Sequence, residues 1–271
     1  MHASTALPGA YSELVVLTAS CPQLVNPRAS TDQRYDIALE GCVHDLEPGM
    51  PAGVQEAAAT ALRSLMDDEN ARPGIADVIT SVGAIPSLLL EPDVLHFVQH
   101  AAASTLVNLS CESAALKAAI VASDAIRLLV PLLQGHHPVG ARSTSASALR
   151  NLATVPRAAA AIMAAGALPS LVSLLGGASS AGVQKTVAVC CLLKNLAQSG
   201  GSSVASCFAT AGGIHAMVPL LGPGYPVMVQ EEAAVALGAL CSSGSTEVKA
   251  ALFASGAAPL MNQLCAKMLR A

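Results

Sequence analysis

One clause recurs about five times along this chain, roughly every 42 to 44 residues. Gly83-Ala84-Ile85-Pro86-Ser87-Leu88-Leu89 returns as Gly166-Ala167-Leu168-Pro169-Ser170-Leu171-Val172, and weaker copies begin at Asp124, Gly212 and Gly256. The successive starts lie 41, 42, 46 and 44 residues apart. A second clause centres on Ser64, Asn108, Asn151, Asn195 and Ala239, at intervals of 44, 43, 44 and 44. A fixed period in this range means stacked supersecondary units, each burying its apolar face against its neighbours. This constrains the fold more tightly than length or composition does.

Each unit carries a helix with a set apolar register. Val54, Ala58, Ala61, Leu62 and Leu65 match Val229, Ala233, Ala236, Leu237 and Leu240. Val98, Ala102, Thr105, Leu106 and Leu109 repeat the pattern, as do Ala141, Ser145, Ala148, Leu149 and Leu152. These offsets draw one stripe along a helix of period 3.6. In the fourth unit the stripe reads through Cys190, Leu193 and Leu196, which predicts a shift of about two residues. A polar turn follows, then a brief helix such as Arg157 to Ala165 that ends at a left-handed Gly166. Asp124 takes that glycine's place in one copy. Pro86, Pro169 and Pro259 fall in the first turn of the next helix, where a missing N–H costs nothing. Leu132-Leu133, Leu174-Leu175 and Leu220-Leu221 close that helix, ahead of turns such as Gly222-Pro223-Gly224.

The chain is 53% hydrophobic and 12% charged, with net charge −4. So little charge argues for helices buried on several sides rather than a solvated disordered chain. Neither a basic excess nor aromatic stacking platforms are present, with aromatics at 2% and no Trp, so nucleic acid is not the expected partner. The eight cysteines contain no CxxC pair and several fall at apolar helix positions. They read as reduced thiols, giving an expected cytoplasmic location that extends to the nucleus. Ala158 to Leu175 is apolar enough to resemble a membrane span, but Gly166 and Pro169 predict two short helices and no direct membrane insertion. The first 20 residues lack a positive leading region and predict no signal peptide.

Three helices per unit, carrying Val54-Gln55-Glu56-Ala57-Ala58, Ala148-Leu149-Arg150-Asn151-Leu152 and Ala165-Gly166-Ala167-Leu168-Pro169, resemble the armadillo repeat. A helix-pair HEAT repeat lacks the Gly-Ala-Ile-Pro clause between two helices. The resemblance implies an all-α fold, a right-handed armadillo-repeat α-solenoid with three helices per repeat. It covers 53–271 in about five units with the last incomplete, and leaves 1–52 as a cap or tail with a degenerate repeat.

In armadillo grooves of the importin-α and β-catenin type, an asparagine ladder on the third helices holds the backbone of an extended peptide. Asn108, Asn151 and Asn195 match that ladder. A carboxamide offers donor and acceptor together, the complement of a peptide unit. Importin-type grooves place Trp four residues earlier, whereas this chain has Ser104, Ser147 and Cys191 there. Recognition of basic localisation signals in that manner is therefore not expected. Arg63, Arg150 and Lys194 precede the ladder positions as a basic row suited to an acidic protein or peptide partner. The ladder's alternative role is scaffold, satisfied by neighbouring turns.

Catalytic and cofactor signals are weak. His96 and His100 share a helix face without a third ligand, and no HExxH, phosphate-binding GxxxxGK or GxSxG pattern occurs. His136-His137-Pro138 reads as a solvated loop, and Asp67-Asp68-Glu69 as a solvated corner. The expectation is a non-catalytic interaction scaffold with no cofactor or metal, binding a partner segment in its groove. A second reading is the recognition portion of a ubiquitin ligase, since similar arrays accompany a U-box, although none is visible here. A third is a structural subunit of a cytoskeletal or axonemal assembly, suggested by the incomplete last unit and alanine-rich faces.

Overall fold

The computed structural model describes residues 41–61 in part, and 96–260 apart from 113, 124, 177–181, 244–245 and 258. Arg63, the Gly83 clause, Pro86, Asp67-Asp68-Glu69, Asp124 and most of 1–52 lie outside the described residues. Among those described, every regular element is helical. The chain divides into two compact units, Met1–Leu128 and Leu129–Ala271. In the first, α1 (His96–Glu112) packs on α2 (Ala114–Ala122). Thr105, Leu106 and Leu109 of α1 are buried, as the register requires.

α3 (Ala125–Leu129) and a 3-10 turn at Pro131–Leu133 lead into α4 (Val139–Leu152). α5 (Pro156–Ala164) and α6 (Ala167–Gly176) follow, then α7 (Val183–Thr210). After these come α8 (Gly213–Met217), a 3-10 turn at Val218–Leu221, α9 (Val227–Ser242) and α10 (Thr246–Ala254). In the second unit α7 packs against both α4 and α9, so three successive third helices stack side by side. Leu149 and Leu152 of α4, Leu193 and Leu196 of α7, and Leu237 and Leu240 of α9 are all fully buried. The core is thus a continuous leucine and alanine seam, replenished by each repeat.

The caps form where the sequence places them. Gly166 has φ 74 and Gly212 φ 78, a left-handed conformation that costs an L side chain about 1–2 kcal/mol. Their N–H groups close the preceding helices onto Met163 and Ala209 carbonyls at 3.0 and 3.1 Å. α5 and α6 meet at 85° across Gly166, so the apolar stretch Ala158 to Leu175 is two short helices. Among the described residues no single helix is long and apolar enough to cross a membrane. α7 is itself two helices joined at Gly201, whose φ 58 and ψ −143 are non-helical. Polar side chains tie the turns down. Ser145 donates its buried hydroxyl to the Leu129 carbonyl, and Gln230 donates to that of Tyr225 at 2.7 Å.

Two expectations need correction. The fourth unit is not shifted: Leu196, Leu193, Leu192 and Val189 are buried at the positions held by Leu152, Leu149, Ala148 and Ser145. The shift is suggested by Lys185, which occupies the first core position where Ala141 and Val229 sit, and is nonetheless 6% exposed. Its long apolar stem fills the site an aliphatic residue takes elsewhere. The second concerns the His136-His137 loop: His136 is exposed, but His137 is buried by the turn that its N–H closes onto Gln134 at 3.1 Å.

Candidate functional site

The ladder position and the residues one and four before it share one helix face, since 3.6 residues make a turn. On α4 these are Asn151, Arg150 and Ser147; on α7, Asn195, Lys194 and Cys191; on α9, Ala239, Gly238 and Val235. The first eight are half-buried and Val235 is exposed, while the core leucines beside them are sealed. The stacking of α4, α7 and α9 therefore presents one continuous strip of these positions. In the first unit Ser104 and Asn108 occupy the same register on α1 and are likewise half-buried.

Hydrogen bonds show what the ladder does in the free chain. Asn195 donates its carboxamide N–H to the Arg150 carbonyl at 3.0 Å. That carbonyl belongs to the last turn of α4, where backbone acceptors lack partners within the helix. Asn195 is thus a strut between repeats, satisfying the end of the preceding third helix. Its carboxamide oxygen takes no part in that bond. Arg150 directs Nε and one terminal nitrogen at the Asn151 carboxamide oxygen, both at 3.3 Å.

Ser104, Ser147 and Cys191, at the positions expected to match importin-type Trp, are half-buried with their polar atoms bonded within the fold. Ser104 donates to the His100 carbonyl at 2.9 Å and Ser147 to the Ser143 carbonyl at 3.0 Å. Each hydroxyl proton is spent on its own helix. Cys191 donates its thiol proton to Oε2 of Glu232, on α9, at 3.1 Å. Burial, then the Glu232 hydrogen bond and charge, push the Cys191 thiol up to about 11, against the pull of Lys194 and Arg150. It is a protonated donor at neutral pH rather than a nucleophile. The buried Cys190 beside it is pushed up to about 12, mainly by desolvation.

Glu232, which the ladder pattern does not single out, adjoins the strip through its bond with Cys191. Its signal is present in the sequence, because Val229-Gln230-Glu231-Glu232-Ala233 repeats Val54-Gln55-Glu56-Ala57-Ala58 with Glu in place of Ala57. Arg63 lies outside the described residues. Among those described, no group of three or more His, Cys, Asp or Glu comes together to hold a metal ion. A pocket of about 490 Å³ lies elsewhere, lined by Ala209, Ile214, His215, Val218 and Ala251 of α7, α8, α10 and the turn at Val218–Leu221.

Comparisons with known proteins agree with this geometry. The Armadillo/beta-catenin-like repeat family matches residues 113–154, which include α4 with Ser147, Arg150 and Asn151. A comparison with curated protein sequences finds no match. Among solved structures, one engineered protein is 27% identical with TM-score 0.71, covering 83% of this chain and 88% of that one. Another engineered protein is 26% identical with TM-score 0.76, over 95% of this chain and 64% of the other. A designed armadillo repeat protein in complex with peptide (KR)4 is 24% identical with TM-score 0.69, over 83% and 91%. Residues 113–154 thus match the armadillo repeat, and the chain shares the all-α solenoid fold of the designed armadillo proteins.

Proposed function

We propose that this chain is a non-catalytic scaffold whose third helices hold an extended segment of a partner protein. The observation that carries this reading is the strip of Asn151 and Asn195 with Arg150 and Lys194, polar and half-exposed on adjoining helices above a sealed core. Each carboxamide can engage a peptide unit, and the two cations suit an acidic side chain on the segment. The designed armadillo protein that holds a peptide supports the mode of binding, although its ligand is basic. Net hydrogen bonds contribute about 0.5–1.5 kcal/mol each, whereas micromolar affinity needs about 8 kcal/mol. The ladder therefore sets register, and the charged and apolar neighbours must supply most of the affinity.

The test uses the chain as bait in its own lysate, beside the triple variant Asn108→Ala, Asn151→Ala, Asn195→Ala and the double variant Arg150→Glu, Lys194→Glu. Circular dichroism establishes that both remain helical. Partners held by the parent chain and lost from both variants are the expected result. Equal capture by all three would move the binding surface off this strip.

A further inference from the structure

The groove strip is not uniformly basic. At the α4–α7 seam stand Arg150 and Lys194, joined to each other's repeat by the Asn195 bond to the Arg150 carbonyl. One helix further on, α9 presents Glu231 and Glu232, both half-buried, between Met228 (53% exposed) and Val235 (38% exposed). These four lie at spacings of three, four and seven residues, hence on one helical face. The Cys191–Glu232 contact at 3.1 Å shows that this face adjoins α7 on the groove side. Among the described residues Arg150 contacts the Asn151 carboxamide and Glu232 the Cys191 thiol, and neither forms a salt bridge. Opposite charges therefore stand on neighbouring repeats, Arg150 and Lys194 beside ladder positions and Glu232 against Cys191.

Resting on the groove reading above, we propose that the bound segment is charge-polarised. An acidic side chain meets Arg150 and Lys194, and a lysine or arginine meets Glu231 and Glu232 on α9. Spacing follows from geometry. Packed helices lie about 8–10 Å apart, and an extended chain advances about 3.3 Å per residue. The two charges are thus separated by roughly three to six residues of the segment. The aliphatic stem of the basic residue lies over Met228 and Val235, which gives those exposed apolar side chains a partner. Such a groove rejects a uniformly basic segment at Arg150 and Lys194 and a uniformly acidic one at α9, because like charges brought together in an interface are strongly unfavourable.

The experiment selects binders for the whole chain from a random dodecamer display library. Enriched peptides are then titrated against the parent chain, Glu231→Lys with Glu232→Lys, and Arg150→Glu with Lys194→Glu. Circular dichroism and thermal melts check each variant. The expected consensus carries an acid and a base three to six residues apart, and each charge reversal weakens binding at least roughly tenfold. Enrichment of acidic peptides indifferent to the α9 reversal would overturn charge polarity while leaving the groove reading intact. Peptides indifferent to both reversals, or no enrichment at all, would overturn both readings.

Discussion

Asn195 joins two repeats by giving its carboxamide N–H to the Arg150 carbonyl at 3.0 Å, at the end of α4. Asn195→Ala removes that bond and is expected to cost about 0.5–1.5 kcal/mol in a urea titration. Loss of partner binding with no change in stability would assign Asn195 to the ligand alone. The adjacent thiols make a pH prediction. Cys190 and Cys191 are raised from an ordinary 9.0 to about 12 and about 11, burial being the leading cause of each. The fold therefore favours the neutral thiols, and this contribution is intact below pH 9.0. It is lost as pH rises from there through about 11 to 12, because unfolded thiols ionise first. Urea midpoints should fall over that window, and the fall should flatten in a Cys190→Ala, Cys191→Ala variant. Desolvation and the Arg142 charge lower the Lys185 pKa, so Lys185→Met should raise the melting midpoint.

Within the elements, the helices closed at Gly166 and Gly212 end on a left-handed glycine with a buried residue packed behind it. Ile162, four residues before Gly166, is buried, and Phe208 holds the same place before Gly212. The next residue is Ala167 in one repeat and Gly213 in the other. The larger ring explains the smaller neighbour, because a Cβ at Gly213 would collide with the Phe208 ring. Gly213→Ala should destabilise by about 1–3 kcal/mol, and Phe208→Ile should relieve part of that cost in the double variant. Additive effects in thermal melts would disprove the coupling. The fourth unit teaches the complementary lesson. Its register was obscured by a lysine at a core position, yet the leucines at 192, 193 and 196 determine which face is buried. A polar residue with a long stem can occupy the apolar stripe without moving it.

At the scale of the second unit, α7 is the helix on which both neighbours lean. Leu193→Ala there should cost about 2–5 kcal/mol, because the cavity opens in a seam shared by two repeats. Leu252→Ala, on α10, should cost less, since Leu252 keeps 7% exposure and α10 packs less extensively. Comparable losses in denaturant titrations would contradict the stacked arrangement. Repeat architecture also shapes the proposed strip, since Asn151, Asn195 and Ala239 lie 44 residues apart in sequence. The groove's charge pattern thus belongs to no single helix.

The sequence by itself determined the period, the helical stripe, the glycine caps and the ladder register, because each depends on spacing along one helix or one turn. That is why Gly166 and Gly212, Leu149 and Leu237, and Asn151 and Asn195 were legible before any coordinates. Tertiary structure decided what those side chains touch. It spends the Asn195 N–H on the preceding repeat, buries Lys185 and His137, and brings Cys191 against Glu232 from 41 residues away. The Asn195 and Cys191 contacts cross between repeats. Their partners are fixed by how neighbouring helices stack, a distance and rotation that no local pattern encodes.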